Sequence, residues 1–248
     1  MTLTPALTPP RATPMLWLRS FLFAVWMFGL ALIMGIACLP LLLGSRKAAL
    51  ASVRLWARWV LAGLEALVGL KVEVEGLEFS PVGPALIAAK HQSMLDILIG
   101  LALMPDPCFV MKKELMWVPI FGWFSAKSRM IAVDREAGAT ALRAMTAKAK
   151  AALAEGRQIV VYPEGTRQAP GAEPAYKPGV AGLYRELELP CTLVGTDSGR
   201  LWPANGLIKY PGVATYVVLA PIQPGLKRGA FMSQMQTRIE AASAALGE

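Results

Sequence analysis

Pro84-Ala85-Leu86-Ile87-Ala88-Ala89-Lys90-His91-Gln92-Ser93-Met94-Leu95-Asp96 is an apolar run, a polar turn and the start of a second apolar run. Residues 84–89 read as a buried strand, and Met94 to Met104 is apolar and long enough for a helix. His91 is the only histidine in 248 residues, so one side chain titrates near neutrality without help and is the candidate general base. Asp96 is the carboxylate placed to orient the ring and stabilise the imidazolium. On a continuous helix, residues five apart would stand about 140° from each other and could not meet, so the stretch has to bend. Ser93 and Asp96 also match the first and last positions of a capping box, which explains the aspartate without any chemistry. A lone histidine is as readily structural as catalytic, and this stretch alone leaves both readings open.

Val160-Val161-Tyr162-Pro163-Glu164-Gly165-Thr166-Arg167 repeats the strand-then-turn arrangement. Ligands of open α/β sheets gather at the carboxyl ends of strands, so the two polar turns are expected to face one crevice. Pro163 stops the ladder, Gly165 allows close approach of backbone, and Thr166 and Arg167 offer a hydroxyl and a guanidinium fork suited to phosphate. Glu164 with Arg167 is alternatively a structural ion pair. A third cluster is Lys112-Lys113-Glu114-Leu115, then Pro119, Gly122 and Val133-Asp134-Arg135; its basic residues are either phosphate anchors or ordinary surface charge.

From Lys71 onward short strands alternate with helices, which points to an α/β domain with a mixed sheet flanked by helices. Strand candidates are 72–75, 108–111, 131–133, 158–162, 192–194 and 214–219. The clearest helices are 137–155, closed by Gly156, and 230–246.

The N-terminal part differs. Residues 1–14 hold Pro5, Pro9, Pro10 and Pro14 and read as a disordered tail. No charged residue occurs from Ser20 to Ser45, a run of 26 that exceeds the roughly 20 needed to cross a bilayer's apolar core. Pro40 is expected to kink or end its helix. From Arg46 to Leu70, the charged residues Lys47, Arg54, Arg58 and Glu65 fall on one narrow helical stripe with Trp56 and Trp59 elsewhere, which suits an interfacial helix or the wet side of a packed one. Residues 15–70 are therefore expected to be membrane-embedded or interfacial, as a spanning helix or a hairpin in one leaflet, ahead of a catalytic domain at 71–248.

Composition agrees. Hydrophobic residues make up 55% and charged ones only 17%, against about 25% charged in a typical soluble domain. Of the net charge of +8, most lies near the N-terminus: residues 1–70 carry six basic side chains against Glu65 alone, and the other 178 carry 19 against 16 acids. That placement fits an anionic leaflet better than nucleic acid, for which no motif is present. Cys38, Cys108 and Cys191 are far apart and without CxxC spacing. They indicate no disulfide framework and no metal cluster, and fit a reducing cytosolic face. Walker and dinucleotide fingerprints and a Gly-x-Ser-x-Gly elbow are absent.

Taken jointly, His91-x-x-x-x-Asp96, the Lys-x-Glu-Leu…Pro…Gly…Asp-Arg run ending at Arg135, and Pro163-Glu-Gly-Thr-Arg167 resemble the glycerolipid acyltransferases, above all the bacterial 1-acyl-sn-glycerol-3-phosphate acyltransferases. The resemblance covers about Leu70 to Ile222. It implies acyl transfer from a thioester of coenzyme A or acyl carrier protein to the free hydroxyl of lysophosphatidic acid. No other cofactor and no metal is implied. His91 and Asp96 would be catalytic, Arg135, Glu164, Gly165, Thr166 and Arg167 would line the acceptor site, and Lys112 or Lys113 would assist. It further implies a hairpin of two N-terminal helices at a bacterial inner membrane, with the catalytic domain on the cytoplasmic face. This chain departs from the family pattern at Arg129 and Ala132, where a glycine and an aromatic are usual. Those positions put the acceptor in question, so another lysophospholipid, a lyso-ornithine lipid or glycerol 3-phosphate stands as the alternative. A non-catalytic membrane-binding protein is the remaining class.

Overall fold

The computed structural model describes residues 12–134 and 138–246. Strands β1 (Leu70–Glu75), β2 (Ala85–Ala89), β3 (Pro107–Lys112), β4 (Ile131–Val133), β5 (Gln158–Val161), β6 (Cys191–Thr196) and β7 (Gly212–Ile222) form one sheet, ordered β1-β7-β6-β2-β5-β3-β4. Every neighbouring pair is parallel except β6 with β7, so β1 and β7 run against the other five. Central β2 is buried at all five positions because both faces of the sheet are covered. Edge strand β1 alternates between half-buried and exposed positions after Leu70, as a one-sided strand does.

Two cores flank the sheet. Leu86 and Ala88 of β2 meet Met145 and Ala149 of α5 (Gly138–Ala154), Leu183 of α6 (Gly179–Leu187), and Phe231, Met235 and Ile239 of α8 (Arg228–Ala245). The three α8 residues recur every four positions, which makes one apolar stripe. On the other face Ala85 and Ile87 meet Leu95 and Leu98 of α3 (Leu95–Leu103). The same core takes Phe23, Met27 and Leu30 of α1 (Pro14–Ala37) and Val60 and Leu64 of α2 (Arg46–Val68). The N-terminal helices therefore share a core with the α/β layer.

Local chemistry sets the helix limits. Thr13 caps α1 by accepting from Leu16 N, and Pro14 supplies the preset first turn. The helix stops at Ala37, and Pro40 sits in a 3-10 turn, Leu39–Leu42. Ser45 caps α2, which ends at Gly69 with φ 80. The result is an antiparallel hairpin, and α1 alone is long and apolar enough to cross a membrane among the described residues.

The charged stripe of α2 has a role that neither sequence reading gives it. Arg54 Nε donates to Leu101 O at 3.2 Å and Arg58 Nε to Ala102 O at 3.3 Å, satisfying carbonyls at the C-terminal end of α3 where positive charge is favoured. At the start of α2, Arg46 grips Asp106 through two bonds of 2.8 Å. Asp106 also accepts from Arg157 Nε, and the buried Arg157 guanidinium donates to the carbonyls of Pro107, Ser128 and Arg129. Burial opposes it, yet the two guanidinium groups hold the Asp106 carboxyl below its ordinary range. This network ties α2 to the N-terminal ends of β3 and β5.

Arg129 stands just before β4 with φ 53. The left-handed backbone explains why a glycine suits this position. It also corrects the suspicion that Arg129 tunes the acceptor: it pairs with Glu155 at the end of the sheet opposite His91.

Candidate active site

β2 and α3 are separated by the turn Lys90 to Met94. The helix begins one residue later than a Ser93 cap requires: Met94 holds the capping position, and Ser93 Oγ accepts from Leu95 N at 3.2 Å. The reach-back half of the capping box is nevertheless formed. Asp96 Oδ2 accepts from Gln92 N at 2.8 Å and Ser93 N at 2.9 Å. The same oxygen lies 2.9 Å from His91 Nδ1. Asp96 Oδ1 accepts from Ser198 Oγ at 2.6 Å and Tyr216 Oη at 2.8 Å. One buried carboxylate thus collects five donors, which is what keeps a carboxylate stable away from water.

A carboxylate so surrounded can only accept from His91, so Nδ1 carries the proton and Nε2 presents its lone pair. Nε2 has no hydrogen-bond partner among the described residues, and the side chain is 15% exposed. The ring stacks on Tyr162 with centroids 4.2 Å apart, while Tyr162 Oη donates to Asp96 O at 3.0 Å. Burial first and the Asp96 charge second push the Tyr162 and Tyr216 phenols well above the ordinary range. Both therefore remain donors at any physiological pH.

The second turn follows β5, the neighbour of β2. Glu164, expected to line the acceptor site, is buried beneath the histidine instead. Its Oε2 accepts from His91 N at 2.6 Å, and its Oε1 lies 2.9 Å from the Lys90 ammonium, an ionic contact more than an aligned hydrogen bond. Lys90, itself buried, also reaches Glu240 Oε1 of α8 at 2.6 Å, and Tyr176 Oη donates to that oxygen at 2.8 Å. Burial raises the Glu164 carboxyl above its ordinary range, opposed by Lys90 and the His91 amide. Gly165 takes φ 74 and donates to Tyr162 O, a turn that disfavours other residues. Gln168 N donates to His91 O at 2.8 Å and joins the two turns. Thr166 and Arg167 then stand exposed beside the histidine, with no hydrogen bond or ion pair among the described residues.

Lys112 is exposed at the carboxyl end of β3. Lys113 is held by Asp134 in a surface ion pair. Arg135 lies outside the described residues.

Sequence reading overlooked Lys90, Gln92, Ser198, Tyr216 and Glu240. Asp197-Ser198-Gly199 follows β6 as the other polar turns follow β2 and β5, so that repetition was the available signal for Ser198. Gln92 Oε1 accepts from Gly199 N and closes this third turn onto the first. Tyr216 and Glu240 carry no local signal, because only the crossing of β7 and α8 brings them to the site. Behind Asp96, a cavity of about 350 Å³ runs between α3 and the sheet. It passes from Asp96, Tyr162 and Tyr216 towards Leu77, Leu103 and Pro105.

The family model described as Acyltransferase matches residues 71–196. The chain belongs to the acyltransferase family. The match takes in the histidine turn, the Glu164 turn and β6 of this acyltransferase. It is 32% identical over 166 residues to the 1-acyl-sn-glycerol-3-phosphate acyltransferase of Pseudomonas aeruginosa, covering 67% of this chain and 65% of that relative. Against the enzyme of that name from Cocos nucifera identity is 28%, over 63% of this chain and 51% of the relative. The chain thus spans about half to two thirds of the length of these curated relatives. The crystal structure of the 1-acyl-sn-glycerophosphate (LPA) acyltransferase PlsC from Thermotoga maritima superposes with a TM-score of 0.70 at 23% identity, covering 94% of this chain and 95% of that one. That likeness establishes a shared fold that includes the N-terminal helices.

Proposed function

We propose that this acyltransferase moves a fatty acyl group from an acyl thioester of coenzyme A or acyl carrier protein to the free hydroxyl of lysophosphatidic acid, giving phosphatidic acid. The observation that carries the reading is the His91–Asp96 pair with Nε2 unoccupied beside exposed Arg167. The names of the relatives support the choice of acceptor.

His91 Nε2 takes the acceptor's hydroxyl proton as its oxygen attacks the thioester carbonyl. The tetrahedral intermediate expels the thiolate, and His91 returns the proton to it as a thiol. Asp96 keeps the ring in the right tautomer and stabilises the imidazolium, and no acyl-enzyme forms. Arg167 and Thr166, with Lys112, meet the acceptor phosphate through charge-assisted bonds. The apolar cavity behind Asp96 offers room for an acyl chain. The amides of His91, Gln92, Ser93 and Leu95 are already engaged, so the oxyanion is met by other donors than the start of the helix.

The outer side of α1 exposes Trp17, Phe21, Phe28 and Ile33, a face suited to lipid. We infer that it seats the enzyme in the cytoplasmic leaflet of a bacterial inner membrane, where substrate and product stay in the bilayer. The test presents the purified enzyme with lysophosphatidic acid, a lyso-ornithine lipid and glycerol 3-phosphate, each with acyl coenzyme A and acyl carrier protein. Preferred acylation of lysophosphatidic acid is expected. Equal or better turnover of another acceptor would move the assignment to that lipid, and no transfer to any would overturn it.

A further inference from the structure

The segment from Leu115 to Trp123 displays more apolar surface than water tolerates cheaply. Trp117 is 85% exposed, Trp123 51% and Phe121 45%, with Leu115 and Val118 also uncovered. These side chains do not stand on a slack loop. Phe121 N donates to Pro119 O and Gly122 N to Val118 O, both at 2.7 Å. A Cβ on Gly122 would lie 2.0 Å from Met116 O, so only glycine fits there. Ile120 takes φ 65, a costly conformation for a β-branched residue. Its side chain fills the notch at Gly35 of α1, where an added Cβ would come within 2.5 Å of Ile120 Cγ2. Strain and close packing are thus spent on fastening an aromatic display to the lipid-suited helix.

The segment leaves the carboxyl end of β3, the end of the sheet at which His91 stands. Lys112 precedes it and Lys127 follows, while Lys113 is already paired with Asp134. We propose that residues 115–123 are a second membrane contact, with Trp117, Phe121 and Trp123 seated in the interface of an anionic bilayer beside the outer face of α1. Tryptophan favours that depth, and the flanking lysines complement anionic headgroups. One helix in a membrane leaves the rotation of the attached domain free. Two fastened contacts fix it and turn the carboxyl end of the sheet, with its histidine, towards the headgroups. The proposal rests on the membrane seating of α1 and adds a surface to it.

The test attaches an environment-sensitive fluorophore to single cysteines in the full chain carrying Cys38→Ser. Burial holds the Cys108 and Cys191 thiols at about 11 and about 12, so they stay unlabelled at neutral pH. The labelled positions are Ile33→Cys on α1, Trp117→Cys on the aromatic segment and Lys148→Cys on exposed α5. Vesicles of phosphatidylglycerol and phosphatidylcholine are then added. Blue-shifted emission at 33 and 117 but not at 148 is expected. A shift at 33 without one at 117 overturns the second contact and leaves the seating of α1 intact. No shift at 33 or 117 overturns both, and a shift at 117 without 33 contradicts a surface shared with α1. In the otherwise unlabelled chain, Trp117→Asp is expected to weaken vesicle partitioning about tenfold with an unchanged thermal melt. Undiminished partitioning counts against the proposal.

Discussion

The turns after β2 and β5 are neighbours built on one plan, yet they spend their polar groups in opposite ways. In the first, residues 91–96, almost every donor is committed internally: two amides, one imidazole, one hydroxyl and one phenol converge on Asp96. In the second, Glu164 turns inward to hold the His91 amide, while Thr166 and Arg167 face outward. A base must be held in one orientation before the substrate arrives, and saturating its surroundings with hydrogen bonds does so. The proposed phosphate site has to keep its cation available, and Arg167 has no ion-pair partner among the described residues.

Substitutions test this division of labour. Asp96→Asn breaks the first turn hardest. The amide keeps its oxygen on the Gln92 and Ser93 amides and on Nδ1 and turns its NH2 to the Ser198 and Tyr216 hydroxyls. What is lost is the negative charge that stabilises the imidazolium, and acyl transfer should fall roughly 10²-fold or more. A rate within a few-fold of normal would show that the ring needs no carboxylate charge. Arg167→Ala should act on the second turn alone, raising the KM for lysophosphatidic acid about tenfold with kcat little changed, since one charge-assisted bond is worth about 1.5–3 kcal/mol. A fall in kcat at constant KM would assign Arg167 to the chemistry instead. Glu164→Gln bridges the two turns. It keeps an acceptor for the His91 amide but removes the charge facing Lys90, and a several-fold loss in kcat with unchanged KM is expected. A KM effect would return Glu164 to the acceptor site.

Tyr216→Phe is the mildest change, deleting one of five donors for about 0.5–1.5 kcal/mol. It also has a pH signature. The folded phenol lies well above the ordinary value of 10.0, so its share of stability is intact below pH 10.0 and is lost progressively as pH rises from there towards the folded value. Chemical denaturation between pH 9 and 11 should therefore show a shallower alkaline loss in the Phe variant.

Much of this was legible in sequence. The strand, turn and helix around His91 followed from apolar runs broken by polar residues, and both later motifs fell at carboxyl ends of strands. What stayed hidden depends on tertiary crossings. Tyr216 and Ser198 reach Asp96 across more than a hundred residues, and no local pattern records that. The capping box misplaced the helix start by one residue, and its aspartate serves the turn amides and the imidazole through the same Oδ2. Arg54 and Arg58 were read as facing lipid or water, although a helix end supplies carbonyls that attract them. Glu164 was placed in the acceptor site by the family resemblance, with a structural pair to Arg167 as the alternative; it is instead buried against Lys90 and the His91 amide.

The most direct measurement is acyl transfer to lysophosphatidic acid by purified His91→Ala, compared with the unsubstituted chain at saturating acyl thioester. A fall of about 10²- to 10⁴-fold, with the fold and vesicle binding unchanged, is the result expected if His91 is the base. Transfer at the unsubstituted rate would contradict it and leave the Asp96 network as structure alone.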